Sequence, residues 1–157
     1  TTLDRDVAFA LIKTEGLDET SRTRIQREAQ AMGRLGFHHH IVTVFDLGAE
    51  DDQPYMVTEL MGGGDVEGLI EDADDHRLPL AQVVGIAVET CRGLEFAHSR
   101  GIIHRDLKPG NIWLTSPSAG SGQAIGIAKI GDFGLAVALG RSRLTTEGMM
   151  VWTVTLI

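Results

Sequence analysis

Six polar residues of this chain stand on otherwise apolar frames: Lys13, Glu28, Asp106, Lys108, Asn111 and Asp132. Three of them fall in one stretch, IIHRDLKPGNIWL (102–114), where a His, an Arg, an Asp, a Lys and an Asn share eight residues between short apolar runs. Asp106 and Asn111 lie five apart, with Lys108 between them on a loop stiffened by Pro109. Asp, Asn and a second Asp supply hard oxygen ligands, the set that suits Mg²⁺ carrying phosphates. Lys13, at the end of an apolar run, and Glu28, on the segment after it, are spaced to form an ion pair that fixes the lysine. Together these parts imply nucleotide phosphate chemistry, in which catalysis is mostly positioning and charge neutralisation. Taken singly, each has a plainer role as an ion pair or as an Asx residue capping a turn.

Such residues need elements to hold them. VAFALIK (7–13) is a β-branched and aromatic run and predicts a buried strand. ETSRTRIQREAQAMGRL predicts a helix capped by Thr20 or Ser21, with Ile25, Ala29, Met32 and Leu35 on its apolar stripe and Glu28 at the stripe's edge. IVTVFDLG (41–48) and PYMVTEL (54–60) predict a strand pair joined by the acidic turn AEDDQ. MGGG (61–64) breaks regular structure and reads as a hinge, and a short acidic helix is expected over 65–73. LPLAQVVGIAVETCRGLEFAHSRG (78–101) is the strongest helical pattern. Leu80, Val83, Val84, Ala87, Cys91, Leu94 and Ala97 form its predicted inward face, and Gly101 ends it. IAKIGDFGLAVAL (127–139) predicts a short strand, while the tail with Ser142, Thr145, Thr146 and Thr153 has little periodicity.

Composition sets the class. The chain has 157 residues, enough for one domain with a sizeable core, and 43% apolar against 23% charged residues fits a folded soluble protein. A net charge of −8 argues against a nucleic-acid partner, which normally meets a basic face. The single cysteine, Cys91, cannot form an intrachain disulfide and is expected in the core. No apolar stretch is long enough for a membrane segment, so a cytoplasmic location is expected. His38, His39 and His40 are consecutive, point in different directions and read as a loop, not as metal ligands.

VAFALIK, HRDLKPGN and DFG, in that order, resemble the signature set of protein kinases. DLKPGN resembles the serine/threonine branch, and the chain looks most like the bacterial type. The resemblance covers essentially the whole chain and implies an α+β, protein-kinase-like bilobal fold, partial in extent. Residues 1–60 would be the end of the small β-lobe with its regulatory helix, 61–64 the hinge, and 65–157 the front of the helical large lobe with the catalytic and activation loops. It implies transfer of the γ-phosphoryl of ATP, with Mg²⁺, to a Ser or Thr hydroxyl of a protein substrate, and regulatory or effector domains outside this chain.

Carried over by position, Lys13 contacts the α- and β-phosphates and pairs with Glu28. Asp106 accepts or orients the substrate hydroxyl proton, Lys108 steadies the transferred phosphoryl, and Asn111 and Asp132 hold the metal. Thr58 matches the gatekeeper, backbone groups of Glu59 and Met61 read the adenine edge, and Asp65 lies near the ribose. Leu11 and Trp113 shape the base pocket. Arg105 resembles the arginine that binds a phosphorylated activation loop, with Thr145 and Thr146 as candidate acceptors and Thr153 like the threonine of the substrate-side loop.

Departures from the pattern are specific. The chain starts at the approach to VAFALIK and stops before an APE segment, so the Gly-rich loop and later helices are missing from it. On that ground the isolated chain is expected to be a marginal fold with little or no turnover. Leu11 replaces a small alanine, Trp113 a smaller apolar residue and Trp152 a glycine, and TSPSAGSGQAIG (115–126) lengthens the Asn111–Asp132 separation. Two other readings stay open: a pseudokinase or scaffold that binds nucleotide without chemistry, and a small-molecule phosphotransferase. The latter usually carries Gly before the catalytic Asp, where this chain has Arg105.

Overall fold

β-branched and aromatic side chains favour a pleated, half-buried surface, and the run from Arg5 folds accordingly. A computed structural model describes residues 5–12, 23, 33, 35–50, 53–117, 125–133 and 149–156. Its strands are β1 (Arg5–Ile12), β2 (Val44–Glu50), β3 (Gln53–Glu59), β4 (Ile112–Leu114), β5 (Ala128–Ile130) and β6 (Met149–Leu156). Among the described residues, Thr23, Gly33 and Leu35 have helical backbone, and the helices with described bounds are α1 (Val66–Glu71) and α2 (Leu80–Ser99). The chain divides into two units, Thr1–Gly36 with Thr43–Leu60 and Phe133–Ile157, and Phe37–Val42 with Met61–Asp132.

The first unit carries an antiparallel sheet in the order β2-β3-β1-β6. On β1, Val7 pairs with Glu59 and Leu11 with Tyr55 of β3, while Ala8 pairs with Thr153 and Phe9 with Trp152 of β6. Val7, Ala10 and Met56 are buried. The Tyr55 ring stacks on Phe9, centroids 5.2 Å apart, and its hydroxyl donates to Asp46 Oδ2 at 3.3 Å. The neighbouring Asp46 carboxylate raises the Tyr55 pKa above its usual value, because ionising the phenol would set two negative charges together.

The tail, whose sequence has little periodicity, forms β6 over Met149–Leu156. The cause is the open edge of β1: its unpaired N–H and C=O groups accept MMVWTVTL, a run with strong β propensity. Thr153, expected on a substrate-side loop, has its backbone in this strand.

In the second unit, α1 starts at Asp65, whose Oδ1 accepts the Gly68 N–H at 2.8 Å. The preceding glycines are docked on β4: Gly63 N–H donates to the Leu114 carbonyl at 2.9 Å, and Leu114 N–H donates to the Gly64 carbonyl at 2.8 Å. β4 and β5 form a short antiparallel hairpin, and Leu114 and Ala128 pack with Val66 and Ile86 into the core.

α2 spans nearly the predicted range, but of the predicted inward face only its C-terminal end, at Ala97, is buried. Ile86, Thr90, Gly93 and Ala97 are buried, whereas Leu80 is 78% exposed and Val83, Val84, Ala87 and Cys91 are also exposed. Thr90 satisfies its own hydroxyl by donating to the Ile86 carbonyl at 2.7 Å. Gly93 permits contact with the neighbouring chain, since a Cβ there would lie 2.6 Å from the His40 carbonyl oxygen and 2.9 Å from Ile130 Cδ1. Small residues select this face because they let the helix approach closely; a count of apolar positions cannot register that.

Candidate active site

The site grows from the end of α2. Gly101, at φ 72°, turns the chain out of the helix, and Ile102 N–H donates back to the Ala97 carbonyl at 3.0 Å. His104 then enters the interior at 2% exposure. Its Nε2 is 2.8 Å from the Gly131 carbonyl oxygen, and its Nδ1 is 3.3 Å from the Asp106 backbone nitrogen. A carbonyl only accepts and an amide N–H only donates, so the imidazole is the neutral tautomer with its proton on Nε2. Burial lowers the His104 pKa, outweighing the opposing pull of the Gly131 carbonyl and of Asp106. A neutral ring therefore ties the backbone of the 102–111 loop to that of the 130–132 segment.

Arg105 follows at φ 69° and Asp132 sits at φ 50°. Left-handed backbone at a non-glycine costs on the order of 1 kcal/mol and persists where its surroundings over-determine it. Both residues lie beside the hydrogen bonds just described. Asn111, buried at the end of the short 3-10 turn Pro109–Asn111, donates from Nδ2 to the Asp106 carbonyl at 2.7 Å and to Asp106 Oδ2 at 3.3 Å. Lys108 Nζ lies 3.9 Å from the same Oδ2, at a half-exposed position. Asp132 has its pKa raised to about 6, by burial first and by Asp106 last, against the lowering influence of Lys108.

The donor chemistry fits a divalent cation. With Nδ2 of Asn111 committed to Asp106, its Oδ1 is the free end of a buried amide, and no described residue donates to it. The Asp132 carboxylate is desolvated and lacks a full counter-charge, a condition that a cation would relieve. Two hard oxygens suit Mg²⁺, which takes the rest of its shell from phosphate and water. Among the described residues no cluster of three or more His, Cys, Asp or Glu forms a metal site.

Asp106, Lys108, Asn111 and Asp132 thus come together in the second unit, with Met61, Asp65 and Trp113 on the same unit. Asp65 uses one carboxylate oxygen as the cap of α1. Trp113 on β4 opposes Lys129 and makes an isolated bridge with Asp65. Leu11, Thr58 and Glu59 belong to the first unit, where Thr58 pairs with Ala8 and its hydroxyl lies 3.3 Å from the Glu59 carbonyl. Lys13, Glu28, Thr145 and Thr146 lie outside the described residues. Sequence reasoning missed two supports: Glu89 Oε2 accepts the Ala128 N–H at 2.7 Å, and buried His40 Nδ1 donates to the Ala128 carbonyl at 3.2 Å. The one available signal was a carboxylate on the otherwise apolar stretch of α2. His38 stacks on Phe96 with centroids 4.3 Å apart, and burial, then His40 and His39, lower its pKa.

An acid held by an amide, a lysine beside it and a second carboxylate across a hairpin are groups of the kind that phosphoryl transfer uses, here on an α+β framework. A protein kinase domain model matches residues 2–155, and the chain belongs to the protein kinase family. A probable serine/threonine-protein kinase of Clostridium acetobutylicum is 34% identical over 152 residues, covering 96% of this chain and 22% of that protein. Serine/threonine-protein kinase PknI of Mycobacterium tuberculosis is 37% identical over 119 residues, covering 76% of this chain and 20% of that protein. The crystal structure of the PknI kinase domain superposes with a TM-score of 0.68 at 33% identity, covering 83% of this chain and 50% of that one. The fold is therefore that of part of a protein kinase domain. The chain spans about a fifth of the length of these curated relatives and half of the solved domain.

Proposed function

We propose that the protein carrying this chain is a serine/threonine protein kinase that transfers the γ-phosphoryl of Mg·ATP to a Ser or Thr hydroxyl of a protein. One observation carries the reading: Asn111 grips Asp106 through Nδ2 while its Oδ1 stays available, so the base and a metal oxygen are held by a single side chain. Asp106 orients the substrate hydroxyl and takes its proton, and Lys108 offsets charge on the transferred group. Asn111 and Asp132 hold Mg²⁺, which when bound neutralises phosphate charge. Lys13 contacts phosphates and is fixed by Glu28. Thr58, backbone groups of Glu59 and Met61, Leu11, Asp65 and Trp113 surround the nucleoside, with 61–64 as the connection between lobes.

Bacterial serine/threonine kinases among the relatives support a protein substrate, as does Arg105 before Asp106. Because the shared stretch is only 20–22% of those proteins, regulatory or effector domains in the same protein fit the reading. Among the described residues no helix is long and apolar enough to cross a membrane, and a cytoplasmic site of action, where ATP is available, completes the proposal.

In the full-length protein, Asp106→Asn should lower phosphate transfer to a protein substrate by about 10²–10⁴-fold, with ATP binding retained by calorimetry. Near-normal transfer by that variant overturns the assignment of the base. Transfer to small alcohols but to no peptide or protein overturns the substrate class.

A further inference from the structure

The geometry points to Trp113 as a positioning residue for Asp132, acting through Gly131 as the wall that fixes the Gly131–Asp132 backbone. The inference rests on reading Asp132 as the metal ligand and adds a role for a residue that was only expected to shape the base pocket. β4 and β5 pair with Trp113 opposite Lys129, so those two side chains share one face of the hairpin while Ile112, Leu114, Ala128 and Ile130 share the other. The next position on the Trp113 face beyond Lys129 is Gly131. A Cβ built there would lie 2.8 Å from both Cδ1 and Nε1 of the indole, and 3.6 Å from Val42 Cγ2. The indole therefore fills the volume that any side chain at 131 would need.

Gly131 is held on its other sides as well. Its N–H donates to the Asn111 carbonyl at 3.0 Å, and its carbonyl accepts from His104 Nε2 at 2.8 Å. Two hydrogen bonds set the plane of the residue, and the indole closes the direction they leave open. The next residue, Asp132, holds a left-handed φ of 50°, a state that lasts only while its neighbours leave no easier alternative. A bulky aromatic ring at 113 and the absence of a side chain at 131 are thus one size-matched pair. Enlarging 131 displaces the ring or the backbone; shrinking 113 frees the backbone to turn.

The test uses the full-length protein with Trp113→Leu, Gly131→Ala, the double variant, and Trp113→Phe as a variant that keeps a ring. In metal-free, nucleotide-free protein, Trp113→Leu should speed hydrogen exchange of the Gly131 and Asp132 amides on the order of tenfold, with the Ala97 amide in α2 unchanged and Trp113→Phe much closer to the parent. Gly131→Ala should raise the Mg²⁺ concentration for half-maximal transfer by about tenfold, and the double variant should recover most of that loss. Uniform loss of protection across the unit, additive effects in the double variant, or an unshifted Mg²⁺ dependence in Gly131→Ala would each overturn the pairing. If Gly131→Ala fails to fold, the exchange comparison of Trp113→Leu with Trp113→Phe decides alone. A parent protein that transfers no phosphate sinks the kinase reading instead, and the exchange comparison then still supports or overturns the wall by itself.

Discussion

The loop from His104 to Asn111 and the outer face of α2 belong to the same unit and follow directly on one another, yet they are held in opposite ways. In the loop, His104, Asp106, Lys108 and Asn111 each meet a partner, and the backbone is left-handed at Arg105. On α2 the backbone is regular, but Leu80, Val83, Val84 and Val88 stand exposed. Irregular backbone with matched polar groups is what a chemical site requires, since side chains must stay close to one geometry to lower a barrier. Regular helix needs only one packed face to persist. The contrast predicts that changes in the loop act on rate, changes on the inner face of α2 act on stability, and changes on its outer face act on neither.

The largest expected effect is at Asn111. Asn111→Ala removes both the proposed metal oxygen and the amide that grips Asp106, and should lower transfer about 100-fold or more, with a stability loss of no more than about 1–3 kcal/mol. Asn111→Asp keeps an oxygen for the proposed metal but cannot donate to Asp106, and it adds a like charge beside that carboxylate. It should also fail in transfer. Normal turnover in Asn111→Asp would show that the grip is dispensable and that the loop does not act as a unit.

Ile86 is next. It lies in the core with Val66, Leu114 and Ala128, so Ile86→Ala should cost about 2–5 kcal/mol in denaturant unfolding. Val84→Ser, two residues away on the exposed side, should stay within about 0.5 kcal/mol. Equal losses at the two positions would erase the distinction between the faces of α2.

That distinction also marks what could be read beforehand. The grouping of Asp106, Lys108, Asn111 and Asp132 was legible from residue type and spacing, because these residues lie in two short polar strings. β1, β2, β3, α1 and α2 were legible from periodicity and propensity. The inward face of α2 was not, because LAQVVGIAVETCRGLEFA is apolar on both sides and the deciding residues, Thr90 and Gly93, pack by being small. β6 was not, because an edge pairing depends on which strand is open to receive it and not on the tail alone. Glu89 and His40 were missed because their partner, Ala128, lies 39 and 88 residues away, and no local pattern reports such a pair.

His104 joins the two regions, since it sits at the start of the loop but contributes through burial. His104→Phe keeps the ring volume and leaves the Gly131 carbonyl and the Asp106 N–H without their imidazole partner, a loss of about 1–3 kcal/mol. The same substitution changes how stability depends on pH. His104 has a folded pKa below its ordinary 6.5, so over that interval the unfolded chain binds more protons than the folded one. Its share of stability is therefore present above pH 6.5 and is lost as pH falls from 6.5 through the lowered folded value. His104→Phe should flatten the unfolding free energy over that window when denaturant curves are compared at pH 7.5, 6.5 and 5.5. Of the residual slope, His38, whose pKa is also lowered, contributes the same sign, and Asp132, raised to about 6, contributes the opposite sign in the lower part of the window. An unchanged slope in His104→Phe would mean that the ring takes up its proton as readily in the folded protein as in the unfolded chain, and a ring that does so could not be held neutral to accept the Asp106 N–H. The loop would then have to be held by Asn111 alone.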